Sequence, residues 1–229
     1  MTEQTTQKKY ELLKDDTVEH FGRTLYRIKA LITFGLVGAG QLGGYIETEK
    51  NLDHSGNAWV YDNALVYDDA RVYGNACVYD DAWVYGDARV YGNACVYDNA
   101  RVFGNAWMCG NARVFGNAWM YGNARVYGNA RVYGDACVYG DAWVYGNACV
   151  YGNARVFGNA WVRSLAVISE RKMIFWASNV GSENGTLTVS NGKFGLIVTR
   201  GCFTGTVDEF LSKSKEVHDD KTHHEYKLL

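Results

Sequence analysis

The chain has 229 residues, a formal net charge of −2 and a pI of about 6.2. This near-neutral balance argues against nucleic acid or an anionic membrane as the partner, because both bind strongly basic surfaces. A repetitive, glycine-rich sequence can indicate disorder, but 48% hydrophobic and 14% aromatic residues are enough to form a folded core.

The first residues, 1–8, contain no apolar h-region of a secretory signal. No apolar run approaches the roughly 18 residues that a membrane-spanning helix needs. Six cysteines in a chain without a signal indicate free thiols and not disulfides. We therefore predict a cytoplasmic protein that does not associate with a membrane.

Residues 1–45 are predicted to form a small β cap, with two or three strands between residues 8 and 34. Within this segment, Gly38-Ala-Gly-Gln-Leu-Gly43 matches the Gly-x-Gly-x-x-Gly motif of dinucleotide-binding folds. That motif opens a helix, whereas the residues from Tyr45 onward are strand-like. We interpret the glycines as a turn and predict no cofactor.

Residues 46–168 contain a six-residue repeat. From Ala58 to Ala160 an alanine recurs every six residues, which makes eighteen units of the form Ala-x-Val-Tyr-Gly-Asn. A period of six excludes a continuous helix, whose 3.6-residue turns would spread the valines over every side. It fits a short strand followed by a corner at the Gly/Asp–Asn/Asp pair, since these residues tolerate left-handed backbone angles.

Within each unit, side chains alternate, so Ala and Val share one side of the strand while x and Tyr share the other. A narrow core can be filled by Ala and Val, but the rings of so many units could not fit inside it. Ala and Val are therefore predicted to point inward. Counting in sixes, the positions that face inward, called the inward phase, continue outside the regular block. They fall on Ile46, Thr48, Leu52 and His54 before it, and on Ala166 and Ile168 after it.

An aliphatic residue followed four positions later by a small one, as in Val60 to Ala64, resembles the hexapeptide repeat of left-handed β-helix proteins. The resemblance implies a three-sided, left-handed parallel β-helix, and many members of that group are acyltransferases. We therefore predict a mainly β chain: a three-sided parallel solenoid between a β cap and a small α+β domain at residues 169–229.

A closer resemblance is to proteins of phages, prophages and enterobacteria that carry Asn-Ala-x-Val-Tyr-Gly repeats and are labelled transferases or polymer-forming proteins. It rests on the segments that begin at Arg23 (RTLYRIKA) and at Leu42 (LGGYIE), on Asn51-Leu, on the repeats, and on the ending that begins at Gly201 (GCFTGTVDEF). The resemblance implies a phage- or prophage-encoded protein in the bacterial cytoplasm.

In residues 169–229 the repeat ends and the composition changes. Strand patterns occur at 186–190 and 194–199. A helix is predicted from Thr206 to Val217, with Thr206 as N-cap and Glu209 at the capping-box position.

With eighteen residues per coil, the variable position x sorts into three columns, which define the first, second and third faces. The first face has Trp59, Cys77, Cys95, Arg113, Arg131 and Cys149. The second face has Leu65, Trp83, Arg101, Trp119, Cys137 and Arg155. The third face has Arg71, Arg89, Trp107, Arg125, Trp143 and Trp161.

The third face consists entirely of Arg and Trp at this position, which are residues enriched in binding hot spots. Stacked rings and Arg-on-ring contacts can also stabilise parallel ladders without any ligand. We predict the partner-binding residues to be Arg71, Arg89, Trp107, Arg125, Trp143 and Trp161, with Tyr127 and Tyr145 beside them.

Other candidate chemistry is weaker. An acyltransferase needs a general base, yet no histidine occurs between His54 and His218. His54 falls on the inward phase, where a capping histidine fits better than a base. The segment 218–224 (HDDKTHH) has metal-ligand chemistry but fits a solvated tail. Cys77 and Cys95 lie one coil apart, and two thiols do not make a zinc site. We predict neither a metal site nor catalytic residues.

One corner column is acidic, with Asp62, Asp80 and Asp98 stacked at about 4.8 Å if a coil has eighteen residues. A bound cation would relieve this repulsion, although hydrated corners with ordinary counter-ions need no site.

The sequence therefore predicts a non-enzymatic scaffold that binds through Arg/Trp/Tyr ladders. The predicted partner is another copy, as a dimer or trimer, a host protein, or a nucleotide-like ligand. The alternative is an acyltransferase-like enzyme with a site between subunits.

Overall fold

The computed structural model describes residues 8–229. An N-terminal hairpin is formed by β1 (Tyr10–His20) and β2 (Arg23–Ala30), and β3 (Leu42–Ile46) pairs antiparallel with β2. The predicted cap strands are confirmed, with the turn at Phe21 and Gly22. The Gly-x-Gly-x-x-Gly segment leads into β3 and not into a helix.

The repeat folds as a β-solenoid of three parallel sheets, one for each side of the coil. The first face contains β4 (Trp59–Val60), β7 (Cys77–Val78), β10 (Cys95–Val96), β13 (Arg113–Val114), β16 (Arg131–Val132), β19 (Cys149–Val150) and β22 (Val167–Ile168). The second contains β5 (Leu65–Val66), β8 (Trp83–Val84), β11 (Arg101–Val102), β14 (Trp119–Met120), β17 (Cys137–Val138) and β20 (Arg155–Val156). The third contains β6 (Arg71–Val72), β9 (Arg89–Val90), β12 (Trp107–Met108), β15 (Arg125–Val126), β18 (Trp143–Val144) and β21 (Trp161–Val162).

Each residue pairs with the residue eighteen positions later, so chemically equivalent positions stack in columns parallel to the axis. Backbone N–H groups donate to carbonyls of the next coil, as from Tyr91 to Met108 at 3.0 Å. The sequence period therefore becomes a spatial period, with each side chain beside its equivalent on the next coil.

The core is the column of Ala and Val that the alternation predicts. Every alanine and every valine or methionine of the repeat, from Ala58 to Val162, is fully buried. The extended inward phase is confirmed at Ile46, Leu52, Ala166 and Ile168, which are also fully buried. Thr48 is instead the N-cap residue of a 3-10 turn.

Corners turn at a residue in the left-handed backbone region. Most of these residues are glycine, and a side chain would collide with the next coil: a Cβ on Gly122 (φ +70°) would lie 3.0 Å from the backbone nitrogen of Gly140. The second corner residue is often Asn, and Asn75, Asn93 and Asn111 form a hydrogen-bonded ladder at 3.0–3.1 Å. These amides connect successive coils without placing charge against charge.

The N-terminal end of the solenoid is covered by the cap. The 3-10 turn Glu49–Asn51 lies beside the first coil, and buried Asn51 donates from Nδ2 to the carbonyls of Asp68 and Ala70, both at 2.9 Å. The Tyr10 hydroxyl donates to the Leu52 carbonyl at 2.7 Å. These bonds satisfy strand groups that a bare solenoid end would expose.

The C-terminal end carries an antiparallel sheet of β23 (Ile174–Val180), β24 (Gly185–Gly192), β25 (Gly195–Arg200) and β26 (Phe203–Gly205). Helices α1 (Val207–Val217) and α2 (Asp220–Leu228) follow. The predicted capping box is confirmed, since Thr206 and Glu209 each accept from the other's backbone N–H. The sheet is tied to the last coil by the bond from the Trp161 N–H to Thr188 Oγ1 at 2.9 Å.

The helices of the described chain include none with the length and apolar character required to cross a bilayer.

Candidate binding surface

The structure brings the predicted third-face residues into one column. Consecutive members, from Arg71 to Trp161, are Cα partners on adjacent parallel strands. Beside this column, the rings of Tyr127 and Tyr145 stack with centroids 4.8 Å apart. Cys109 interrupts the ring column between Tyr91 and Tyr127, because it replaces the usual tyrosine.

Cation–π contacts run along the third face. The Arg125 guanidinium lies 5.0 Å from the ring of Trp107 and 4.9 Å from the ring of Trp143. Arg89 lies 5.2 Å from the Trp107 ring on the other side. Trp143 stacks on Trp161 with centroids 5.1 Å apart. From Arg89 to Trp161 the column is therefore a continuous stack of guanidinium groups and indole rings.

These arginines have no acidic partner within residues 8–229: the ion pairs of that region involve none of Arg71, Arg89 and Arg125. In the coils, carboxylates occur at corners, while most arginines occupy the faces. The corner between the third and first faces has only Gly-Asn pairs from Gly74 to Asn147, so no acid neutralises the third face from that side.

The rings are less exposed than the sequence alone suggests. Mutual stacking leaves most of them half-buried, and among the coil aromatics only Trp119 (41%) and Phe157 (40%) are classed as exposed. Trp59, predicted to face outward, is fully buried because Tyr10 and Phe34 of the cap pack against its ring. The bare aromatic surface is thus smaller than predicted, and the cation–π stack is its most organised part.

The second face is partly covered by the N-terminal hairpin. The His20 ring lies 4.4 Å from that of Trp83, and the Arg101 guanidinium lies 4.2 Å from the same indole. Burial lowers the pKa of His20, and the positive charge of Arg101 lowers it further. These contacts cover Trp83. Arg101 also lies 5.3 Å from the ring of the exposed Trp119, so the second face carries a shorter cation–π stack that the hairpin covers in part.

The first face carries a thiol pair. Cys77 and Cys95 are Cα partners on adjacent strands. The neighbouring Cys77 thiol, together with the nearby Arg113 guanidinium, lowers the pKa of Cys95 to about 7 against the opposing effect of burial. The neighbouring Cys95 thiol and burial raise the pKa of Cys77. All six cysteines are free thiols, as predicted.

His54 is a residue of the cap, as its prediction as a capping histidine requires, and its side chain is partly buried. Its ring stacks on Tyr10 with centroids 4.3 Å apart, and its Nδ1 accepts the Lys9 backbone N–H at 3.2 Å. Lys9 is buried, and its Nζ donates to the Ala58 carbonyl at 2.9 Å. Desolvation lowers the pKa of Lys9 to about 8, although the Asp53 carboxylate opposes this.

The acidic corner column has a structural explanation. Asp62, Asp80 and Asp98 stand at left-handed corner positions with φ of 51–59°. Each carboxylate faces a backbone N–H of the next coil, and the contact from Gly116 to Asp98 is 3.0 Å. No group of three potential metal ligands occurs anywhere in the described part of the chain.

The segment at residues 218–224 is mostly exposed, as the prediction of a solvated tail requires, but it is folded and not an extended tail. This segment starts α2, where the Asp219 side chain accepts the Thr222 N–H at 2.8 Å as N-cap. Tyr226 of this helix is buried against Phe210 of α1, with ring centroids 5.0 Å apart. The sequence signal for this helix is Asp219, a favourable N-cap residue, followed by a stretch without Gly or Pro, and it was overlooked.

A cavity beside the third face was also missed. It measures about 440 Å³ and lies between the cap segment 49–54 and the third face, where Arg71, Tyr73 and Arg89 line it. It could not be found from the repeat, because half of its wall comes from the irregular segment before the first coil.

Comparison with known families supports the assignment of the coils. The family model described as the YdcK Beta solenoid repeat matches residues 70–86, 94–110, 108–122, 124–140, 130–146 and 148–164. The coils are β-solenoid repeats. The matched stretches all lie in the coils. They do not cover the segments at either end of the chain on which the resemblance to phage proteins also rests, so that resemblance stays a prediction. No curated protein matches the chain.

Proposed function

We propose that the chain is a non-enzymatic β-solenoid binding protein whose third face binds a second copy of the chain. The observation that carries the proposal is the position of Arg125 between Trp107 and Trp143, with no acidic partner among residues 8–229. The rings hold the guanidinium in place, so its N–H groups can bind a carboxylate with little loss of side-chain entropy. The resemblance to phage and prophage proteins supports a phage-encoded origin.

The spacing of the charges supports a second copy as partner. Arg71 and Arg125 are 54 residues apart, and so are Asp87 and Asp141, both exposed on the corner between the second and third faces. Fifty-four residues are three coils, or about 14 Å along the axis. Two copies lying side by side with parallel axes can therefore pair both arginines of one with both aspartates of the other.

The three-sided cross-section favours a trimer. Viewed along the axis of a triangular prism, the direction from the centre to a face and the direction from the centre to an adjacent corner differ by about 60°. In a three-membered ring, the directions from one subunit to its two neighbours differ by the same angle. A head-to-tail contact from the third face to this corner therefore closes into a ring instead of extending into a fibre.

The alternative of acyl transfer is less well supported. A base needs a free lone pair within reach of substrate. The Nδ1 lone pair of His54 accepts the Lys9 N–H, and the ring is stacked on Tyr10. The other histidines lie in the N-terminal hairpin, at His20, and at the C-terminal end, at positions 218, 223 and 224.

Native mass spectrometry, with sedimentation analysis at low and high salt, tests the proposal. We expect a trimer that weakens with salt, and monomers for Arg125→Glu and for Asp141→Arg. The double variant with both changes should reassemble, because the charge pair is restored in reverse. Arg131→Glu on the first face is the matched control and should remain trimeric. A monomeric wild type, or a double variant that stays monomeric, contradicts the proposal.

A further inference from the structure

The cavity of about 440 Å³ beside the N-terminal end of the third face has a cationic wall. Arg71 and Arg89 are Cα partners on adjacent strands, so their side chains start about 4.8 Å apart. Like charges placed directly opposite each other destabilise a sheet. Neither arginine forms an ion pair in the described chain.

The acids on the opposite wall are already engaged. Glu49 pairs with Lys8 at 2.8 Å and lies 3.6 Å from the His54 ring nitrogen. Asp53 accepts from the hydroxyl and the backbone N–H of Ser55, at 2.6 and 3.0 Å. Both carboxylates therefore have partners within the cap, and neither forms an ion pair with Arg71 or Arg89 of the same chain.

Two aromatic contacts hold this wall in place. Arg89 lies over the Trp107 ring, with its guanidinium carbon 5.2 Å from the centroid. Tyr73 lines the cavity and stacks on Tyr91 with centroids 4.9 Å apart. Burial raises the pKa of Tyr73, and the charges of Arg89 and Arg71 oppose the rise, so the phenol lies within the field of both arginines. Its hydroxyl is thus a protonated donor at neutral pH.

We propose that Arg71 and Arg89, with the Tyr73 hydroxyl, bind a phosphate group in this cavity. Phosphate carries up to two negative charges and several acceptor oxygens, which match two guanidinium groups better than a single carboxylate does. The group is either free phosphate or the phosphoryl group of a nucleotide, whose base could stack on the neighbouring rings. The cavity volume lies within the range of small-molecule sites.

Isothermal titration of the full chain with inorganic phosphate and with adenosine monophosphate, at low salt, tests this site. We expect binding of at least one probe and a loss of at least tenfold in affinity for Arg89→Gln. The matched control is Arg131→Gln, because Arg113 and Arg131 form the same Arg-over-Arg pair without this cavity. Tighter binding of the nucleotide identifies a nucleotide site, and equal binding identifies a phosphate site.

Absence of binding by both probes, or an Arg89→Gln variant with unchanged affinity and an unchanged melting curve, overturns the proposal. This result can be separated from a failure of the proposed self-association. Arg125→Glu should dissociate the trimer and still bind the probe, whereas Tyr73→Phe should stay trimeric and bind the probe more weakly. Arg71 and Arg89 lie on the third face that the proposed self-association uses, and they are therefore not used as discriminating variants.

Discussion

The Arg125 guanidinium lies 4.9 Å from the ring centroid of Trp143, the residue that occupies the same position one coil later. The relationship arises because eighteen residues make one coil, so neighbours in space are residues i and i+18. Alternation of Arg and Trp at that interval places a cation between two rings, whereas Arg after Arg places a cation against a cation.

This contrast predicts the effect of removing single arginines. Arg125→Gln should lower the free energy of unfolding by about 0.5–1 kcal/mol for each of its two ring contacts. Arg131→Gln should be neutral or stabilising, because Arg131 has Arg113 as its neighbour on the preceding coil. Urea denaturation followed by circular dichroism compares the two variants. Equal destabilisation would show that the stack contributes nothing.

The inward assignment predicts a large effect for Val102→Asp. Val102 is fully buried, so an unpaired carboxylate there should cost several kcal/mol and open the solenoid locally. Asn99→Asp is the matched control, since Asp81 already occupies the equivalent exposed corner position one coil earlier. Limited proteolysis should cleave the first variant faster than wild type and leave the second resistant. Equal resistance of both contradicts the packing described above.

The left-handed corner geometry predicts that replacing a corner glycine with alanine lowers the free energy of unfolding. Gly122→Ala forces a side chain into the left-handed backbone region and against the next coil, which should destabilise the protein by about 1–3 kcal/mol. Gly38→Ala should change stability by less than about 0.5 kcal/mol, because Gly38 has no positive φ and its Cβ would meet nothing within 4 Å. Thermal unfolding of both variants measures the difference; a neutral Gly122→Ala would argue against this corner geometry.

The thiol pair predicts site-selective alkylation. Because Cys77 and Arg113 lower the pKa of Cys95 to about 7, its alkylation by iodoacetamide should rise with a midpoint near pH 7. Cys77→Ala removes the neighbouring thiol and should move the midpoint upward, whereas Cys149→Ala should leave it in place. Mass spectrometry of peptides labelled at several pH values gives the midpoint for each cysteine. An unchanged midpoint in Cys77→Ala would exclude the coupling.

Buried Lys9 predicts a pH dependence of stability. Its pKa is about 8 in the folded chain, against the ordinary value of 10.5 for an exposed lysine. Between these values the unfolded chain binds more protons, so Lys9 makes the free energy of unfolding rise with pH from about 8 to 10.5. Lys9→Met should lose this increment. The difference between wild type and variant, measured by urea denaturation from pH 7 to 9.5, isolates Lys9 from the titrating tyrosines and thiols. A difference that does not change with pH would contradict the desolvation of Lys9.

The sequence predicted the coil and the helix α1 because both depend on local patterns. The alternation in each six-residue unit places Val102 inward, and the Thr206–Glu209 capping box specifies the start of α1 within one turn. Helix α2 was missed because its start at Asp219 is polar and its stability depends on burying Tyr226 against a distant residue. Propensity alone does not report such tertiary contacts.

The sequence by itself determined the buried Ala/Val column, because the alternation within each six-residue unit is local. The three sides per coil came from the resemblance to left-handed β-helix proteins, and with them the period translates into the Arg/Trp order along the third face. Only the tertiary structure decided which outward positions are covered, such as Trp59 beneath the cap, and where the third face borders a cavity. The physical reason is that these contacts join the coils to segments outside the repeat. Their positions depend on packing across long stretches of chain, about which the period carries no information.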